Sequence, residues 1–214
     1  LDLPAMKRLY GTEPVFVFDP ADDSNQPVRG HHDNALAFWP IYPQFLRELF
    51  TKAFTDGIRD PLGGRIRESQ WRAAMVRLRD AIVYCASCGA ENFYDVDLLR
   101  ASGRRANTCW SCNRAIRLPP RIRVGEHILV LNHDAQLFPH HVDDQPTYDF
   151  SEPIAAVVQH PTDPSIWGLK NLSEQKWVIT TTQNTVKDVE PGRSVPLATG
   201  TRINFGKVDG EIAV

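Results

Sequence analysis

Long apolar runs are missing from this sequence. No stretch approaches the ~18 consecutive apolar residues that a membrane-spanning helix needs, and that class of function is excluded. Cysteine is scarce: 4 in 214 residues, too few for the framework of a disulfide-stapled scaffold of this length. An excess of one charge is missing too, since 24 Lys+Arg face 26 Asp+Glu for a net of −2. No low-complexity tract or internal repeat is present. The start (Leu1, Asp2, Leu3, Pro4) has neither an initiator Met nor a basic segment leading into an apolar one. We therefore expect no signal peptide, and a chain cut from something longer. What is present, 42% hydrophobic and 23% charged residues, is the composition of a soluble folded protein. The length suits one large domain or two to three small ones.

The near-zero net charge conceals a pattern. Residues 1–58 carry 5 basic and 8 acidic groups, 59–123 carry 13 and 6, and 124–214 carry 6 and 12. A basic, arginine-rich block thus lies between two acidic segments. Two readings stand: the segments answer one another within the chain, or the block offers a surface to an acidic partner.

The first part reads as helical. Pro43 fits a helix start, and Phe45, Leu46, Leu49, Phe50, Ala53 and Phe54 follow at helical spacing, with Gly57 and Pro61 ending the run. A second helix is predicted from Glu68 or Ser69. There Trp71, Met75, Leu78 and Ile82 form a stripe, and Arg72, Arg77, Arg79 and Asp80 point outward. Upstream, residues 14–18 are a short apolar extended run, and the loop 19–27 is rich in turn formers.

Cys85 and Cys88 form one C-x-x-C pair, and Cys109 and Cys112 form another after twenty residues. Gly89 follows the first pair, and Asn113 holds the equivalent place after the second. Each such turn aims two thiolates at one point while backbone amides stabilise the sulfur charge. Four together make a closed tetrahedral Zn2+ site with a structural role and no open position for chemistry. Metal binding then supplies folding free energy that so small a segment lacks. The competing reading is a pair of redox-active C-x-x-C motifs.

The remainder reads as all-β. Residues 127–131, 154–158, 177–181, 194–197 and 202–205 are short β-rich runs after a Pro119-Pro120 linker. Turn formers separate them at 132–134, 143–144, 161–164, 191–192, 200 and 209–210. That rhythm suggests a small sandwich or barrel.

Several segments carry a family resemblance. Tyr42 to Phe50, Ala53, Phe54, Gly57, Asp60, Pro61, Arg65 and Glu68 to Trp71 together resemble the last helices of a protein-kinase C-terminal lobe. Residues 11–20, 24–27, 85–93 and 167–173 extend the likeness to bacterial eukaryote-like Ser/Thr kinases of tellurite-resistance operons. The Gly-rich phosphate loop, the strand lysine, the His-Arg-Asp loop and the Asp-Phe-Gly motif are all absent. The resemblance therefore implies the non-catalytic, C-terminal portion of such a kinase, and not an enzyme. It also implies cytoplasmic localisation and two partners: a von Willebrand A-domain protein of the same operon, and a metal-dependent protein phosphatase encoded beside it. An arginine at the place of Arg65 would pair with a Glu of the activation segment. Arg67 stands where a Ser or Thr cap belongs, which shifts the cap to Ser69 or removes it.

Residues 167–173, 191–197 and 200–206 resemble the second half of a forkhead-associated (FHA) sandwich. Such domains read phosphothreonine; here Asn171 and Ser173 are the matching candidates, and the Gly192-Arg193 pair serves a turn.

Other residues invite weaker readings. His140 and His141 with Asp143 and Asp144, and His31 and His32 with Asp33, are metal candidates or solvated loops, and we expect loops. His127 and His133 read as structural or exposed, Trp167 and Trp177 as core, and Trp110 as exposed or at an interface. Arg100, Arg104, Arg105, Arg114, Arg117, Arg121 and Arg123 around the ribbon raise a nucleic-acid module as the alternative. By the kinase resemblance an acidic protein surface is expected instead. Exposed carboxylates in the loop 19–23 or at Asp143 and Asp144 could complete the open metal site of a von Willebrand A domain.

The expected architecture is α+β and multidomain. A helical remnant of the kinase C-lobe spans 1–80, a four-cysteine zinc ribbon 81–120, and an FHA-like β-sandwich 121–214. The expected metal ligands are Cys85, Cys88, Cys109 and Cys112, holding one structural Zn2+, and no catalytic residue is assigned.

Overall fold

A computed structural model describes residues 2–103, 108–143 and 147–213. Arg104, Arg105 and Asp144, named above, lie outside the described residues. The chain is mixed α/β and divides into two compact units, Leu1–Leu78 with Asp95–Arg105, and Arg79–Tyr94 with Ala106–Val214.

The first unit is helical. Its elements are α1 (Leu3–Lys7), a π-turn (Arg8–Thr12), α2 (Asp33–Phe38), α3 (Gln44–Phe54), α4 (Asp56–Arg59), α5 (Glu68–Asp80), whose last two residues belong to the second unit, and α6 (Val96–Ala101). Pro43 holds the N-cap position of α3 at φ −56° and ψ 152°. This agrees with the expected start, because proline's fixed φ suits a helix entry. Leu46 and Val76 are buried, and aromatic rings supply much of the remaining packing. Phe18 stacks on Trp39 at 4.3 Å, Phe16 on Phe54 at 5.4 Å, and Phe50 meets Trp71 edge-on at 4.8 Å. The apolar run 14–18 is thus not a strand. Its phenylalanines are spent on this ring cluster. Gly57 does not stop the helical path but lies within α4. The true close approach is Gly64, where a Cβ would collide with the Asp56 carbonyl oxygen.

The start of α5 is closed by Gln70, whose side chain accepts the Arg67 N–H at 3.0 Å. That is the returning half of a capping box, and it replaces the expected hydroxyl cap. The stripe on α5 is narrower than its spacing suggests. Met75 is exposed, Val76 is buried instead, and Ile82 has left the helix for a strand.

The second unit holds the sheets, and its strand pairs are antiparallel. A small hairpin joins β1 (Ile82–Tyr84) to β2 (Glu91–Phe93), with Val83 opposite Asn92. The other strands are β3 (Arg121–Val124), β4 (His127–Val130), β5 (Gln136–Leu137), β6 (Ala155–Gln159), β7 (Trp167–Asn171), β8 (Trp177–Thr180), β9 (Val186–Val189), β10 (Ser194–Pro196), β11 (Arg202–Asn204) and β12 (Asp209–Ala213); a one-turn helix, α7 (Pro139–Val142), follows β5. One sheet has the order β10-β7-β6-β5 and the other β4-β3-β12-β11-β8-β9.

The inward residues of both sheets meet in one core. Ile122, Val124, Ile179, Ile203 and Ile212 come from the six-stranded sheet, and Leu137, Val157, Leu169 and Val195 from the four-stranded one. Trp177 is 2% exposed within this core, and Trp167 packs against it half-buried. Alternation in β3, with Ile122 and Val124 in and Arg123 out, is what period-two side-chain placement requires. The Asp209-Gly210 pair, expected to be a turn, lies inside β12. A Cβ on Gly210 would sit 2.9 Å from Phe205 and 3.1 Å from Ile122, so this glycine marks a close approach within a strand.

Candidate metal centre

The hairpin β1–β2 carries the first cysteine pair at its tip. Cys85 N–H donates to the Ala90 carbonyl and Gly89 N–H to the Cys85 carbonyl, both at 2.9 Å. The second pair repeats the pattern. Cys109 N–H donates to the Arg114 carbonyl at 2.8 Å and Asn113 N–H to the Cys109 carbonyl at 2.9 Å, beside a bridge between Thr108 and Ala115. Gly89 has φ +74° and Asn113 has φ +58°. Both turns need a left-handed residue after the second cysteine, and glycine and asparagine are the residues that adopt it most readily.

All four Sγ atoms lie within 4.8 Å of one another. Cys85 and Cys112 stand 3.6 Å apart, and Cys88 and Cys109 3.7 Å. A disulfide requires about 2.05 Å, so these sulfurs are unbonded. The edge of a tetrahedron with 2.3 Å metal–sulfur bonds is about 3.8 Å, and the observed spacing fits one metal ion held by four thiolates. Cys85 and Cys109 are buried, Cys112 is half-buried and Cys88 is exposed. Val83, Ile116 and Val130 close the apolar side of the cluster. Val130 belongs to β4, so the cysteine hairpins are anchored on the sandwich. Two polar contacts reinforce this: Asn132 donates to the Ile82 carbonyl at 2.7 Å, and Tyr84 to Asp134 at 2.9 Å.

The sulfurs differ in their surroundings. The amides of Ser87 and Cys88 hold the Cys85 thiol below its ordinary value. Burial resists ionisation of Cys109, but the amides of Cys112 and Ser111 and the Asn92 side chain outweigh it and bring that thiol down to about 6. At Cys112 the Arg114 amide favours the thiolate. There burial and the three neighbouring sulfurs win and push the thiol up to about 11. Four negative sulfurs cannot gather in this space without a cation to neutralise them.

Asn92 supports the site from behind, and the spacing of cysteines gave no sign of it. It is 5% exposed, donates to Cys109 Sγ at 3.6 Å and to the Ala90 carbonyl at 2.9 Å, and accepts the Trp110 N–H at 3.3 Å. Trp110 is 44% exposed, yet its indole N–H is bound to the Glu91 carbonyl at 2.7 Å. Asp95 was also missed. One carboxylate oxygen accepts the Gln44 N–H at 2.8 Å at the start of α3, and the other accepts the Asp97 and Leu98 amides as the N-cap of α6.

The remaining candidates fall in different places. Asn171 is fully buried and donates to the Gln175 and Val189 carbonyls. It also accepts from the backbone and hydroxyl of Ser173. Both residues therefore hold the turn between β7 and β8. Gly192, at φ +79°, and Arg193 form the turn between β9 and β10. Among the arginines, Arg100 lies 3.8 Å from Asp97, Arg121 packs over Tyr94 at 5.3 Å, and Arg123 stands opposite Glu211. Arg114 and Arg117 are exposed, as is Arg65.

His31 and His32 lie in an exposed turn where His32 Nδ1 accepts the Val28 N–H and Asp33 accepts the Gly30 N–H. His140 and His141 do not form a solvated loop: they sit on α7 and are buried at 3% and 2% exposure. Asp80 does not point outward either, but is buried 3.3 Å from His141 Nε2. Pro139 at the first helical position and the preceding Phe138, buried in the core, turn this segment inward.

No helix among the described residues is long and apolar enough to cross a membrane. No family model, curated protein or solved structure matches this chain.

Proposed function

We propose that this chain is a docking region without chemistry of its own, from the C-terminal, non-catalytic part of a bacterial eukaryote-like Ser/Thr kinase. The observation that carries the reading is the closed four-cysteine centre anchored to a two-sheet sandwich. The metal assigned to it is Zn2+, held by Cys85, Cys88, Cys109 and Cys112, because an all-thiolate tetrahedral set with structural backing suits that ion. When bound, the ion supplies folding free energy and fixes the two turns. The protein's own part is to neutralise and orient the sulfurs through backbone amides and Asn92.

In support of the kinase resemblance, the segments that carry it fold as helices, α3 and α5, with the Asp60-Pro61 loop between them. Two antiparallel sheets around one core, with first and last strands β3 and β12 adjacent, support an FHA-like sandwich. The burial of Asn171 and its use in a turn favour docking over phosphothreonine reading.

The partner we assign is the von Willebrand A-domain protein of the same operon. Of the carboxylates considered for its metal site, Asp19 pairs with Arg59 at 3.5 Å with its side chain 7% exposed, and Asp143 pairs with Lys207 at 2.6 Å. Asp22 and Asp23 remain exposed and are the better ligands. A binding titration against that protein tests the reading, run on the zinc-loaded chain and on a chain with the four cysteines changed to Ser. Binding by the zinc form alone is expected. Failure of the zinc-loaded chain to bind would overturn the partner assignment.

A further inference from the structure

The second unit buries an imidazole that the metal centre does not use. His140 is 3% exposed, and among the described residues neither of its ring nitrogens has a hydrogen-bond partner. Its ring lies parallel to Phe138 with centroids 6.0 Å apart, and Tyr148 and Phe150 meet it edge-on at 5.0 and 5.1 Å. The His141 ring is 4.0 Å away. Two nitrogens that water would satisfy are thus enclosed by aromatic carbon, and such an arrangement costs free energy that the surrounding packing must offset.

We propose that His140 is a proton-driven latch. Uptake of one proton from solvent at a ring nitrogen expels α7 from its aromatic cover of Tyr148 and Phe150 and opens this part of the unit.

The groups facing His140 bear this out. From α5, the Arg79 guanidinium lies 4.7 Å over Phe138 and 4.5 Å over Phe150, and Asp80 lies beside His141. From β4, His127 stands 6.4 Å from His140 and 5.5 Å from His141. On α7 itself, the Phe138 N–H donates to His141 Nδ1 at 2.9 Å. Its Nε2 faces Asp80 at 3.3 Å. Beyond α7, Asp143 is engaged by Lys207. On the cover, Asp149 lies next to Tyr148 and accepts the Ser151 N–H.

Burial above all, then His141, His127 and Arg79, disfavour a charge on His140. Asp80 pulls the other way without reversing the balance, and the imidazole is pushed down to about 4. Its closed-state value therefore lies below its ordinary one, near 6.5. The closed form is fully favoured above pH 6.5 and loses ground as pH falls toward 4. Between pH 7.5 and 5.5 the opening equilibrium should rise roughly tenfold.

The test is amide hydrogen exchange on the full chain in excess zinc. The probes are the two α7 amides, His141 bonded to the Phe138 carbonyl and Asp143 to the Pro139 carbonyl. After correction for intrinsic rates, opening at these sites should increase about tenfold from pH 7.5 to 5.5, while the Ile212 amide of the central sheet stays protected. His140→Phe should abolish the increase. Equal protection at both pH values, or a full increase in His140→Phe, would overturn the proposal. If that variant does not fold, NMR titration of the wild-type imidazole decides. A midpoint near 4, or one coincident with α7 opening, supports the latch. A midpoint near 6.5 with α7 closed contradicts it.

Discussion

Asn92 shows how much of a metal site lies outside its ligands. It occupies the middle of β2, faces inward, and gives its amide hydrogens to a sulfur and a carbonyl while its oxygen holds the second cysteine turn. Losing such a supporting contact typically weakens metal affinity about 10–100-fold. Asn92→Leu should therefore retain one metal per chain but surrender it to a weaker chelator, measured by competition titration. Unchanged affinity would reduce Asn92 to a packing residue. The four cysteines were legible from their spacing alone, because C-x-x-C is a local device whose geometry is set within five residues. Asn92 was not legible, since its importance depends on a register that only the folded hairpin defines.

Elements were legible in proportion to how local their causes were. The starts of α3 and α5 followed from Pro43 and from the apolar period after Glu68, whereas their ends did not, since Gly57 lies within α4 and Ile82 in β1. β3 was hidden because Arg121 and Arg123 read as part of a basic block, although Ile122 and Val124 alternate with them. β12 was hidden because Asp209-Gly210 imitates a turn, whereas Gly210 is there to let Phe205 and Ile122 approach. α7 was hidden because two adjacent histidines read as solvated.

Asp95 belongs to the same lesson, since it caps α6 beside it and also holds the start of α3 at Gln44, 51 residues earlier in sequence. Each cap of this kind contributes about 0.5–2 kcal/mol, and a carboxylate at two helix N-termini also gains from their dipoles. Asp95→Ala should therefore lower stability by about 2–3 kcal/mol. Chemical denaturation followed by helical signal should show a lower midpoint with an unchanged slope. A shift under about 0.5 kcal/mol would show that water replaces both caps.

At the scale of the molecule, the chain passes between its two units three times. It enters the second at Arg79, returns to the first at Asp95, and enters the second again at Ala106. The first cysteine pair precedes that excursion and the second follows it. A metal ion that binds both pairs closes the loop at its base. Charge follows the same logic: Arg100 pairs with Asp97 and Arg121 packs over the Tyr94 ring, so the electrostatics of the basic middle segment are partly internal.

The central claim is that one structural zinc ion, held by four thiolates, organises the second unit. Elemental analysis of the purified chain, joined to thiol titration before and after chelation, tests it most directly. One zinc per chain is expected, with the four thiols unreactive until the chelator removes the metal and the β1–β2 hairpin then losing its protection. A chain without stoichiometric zinc, or one whose hairpin stays folded and protected after the metal is gone, would contradict it.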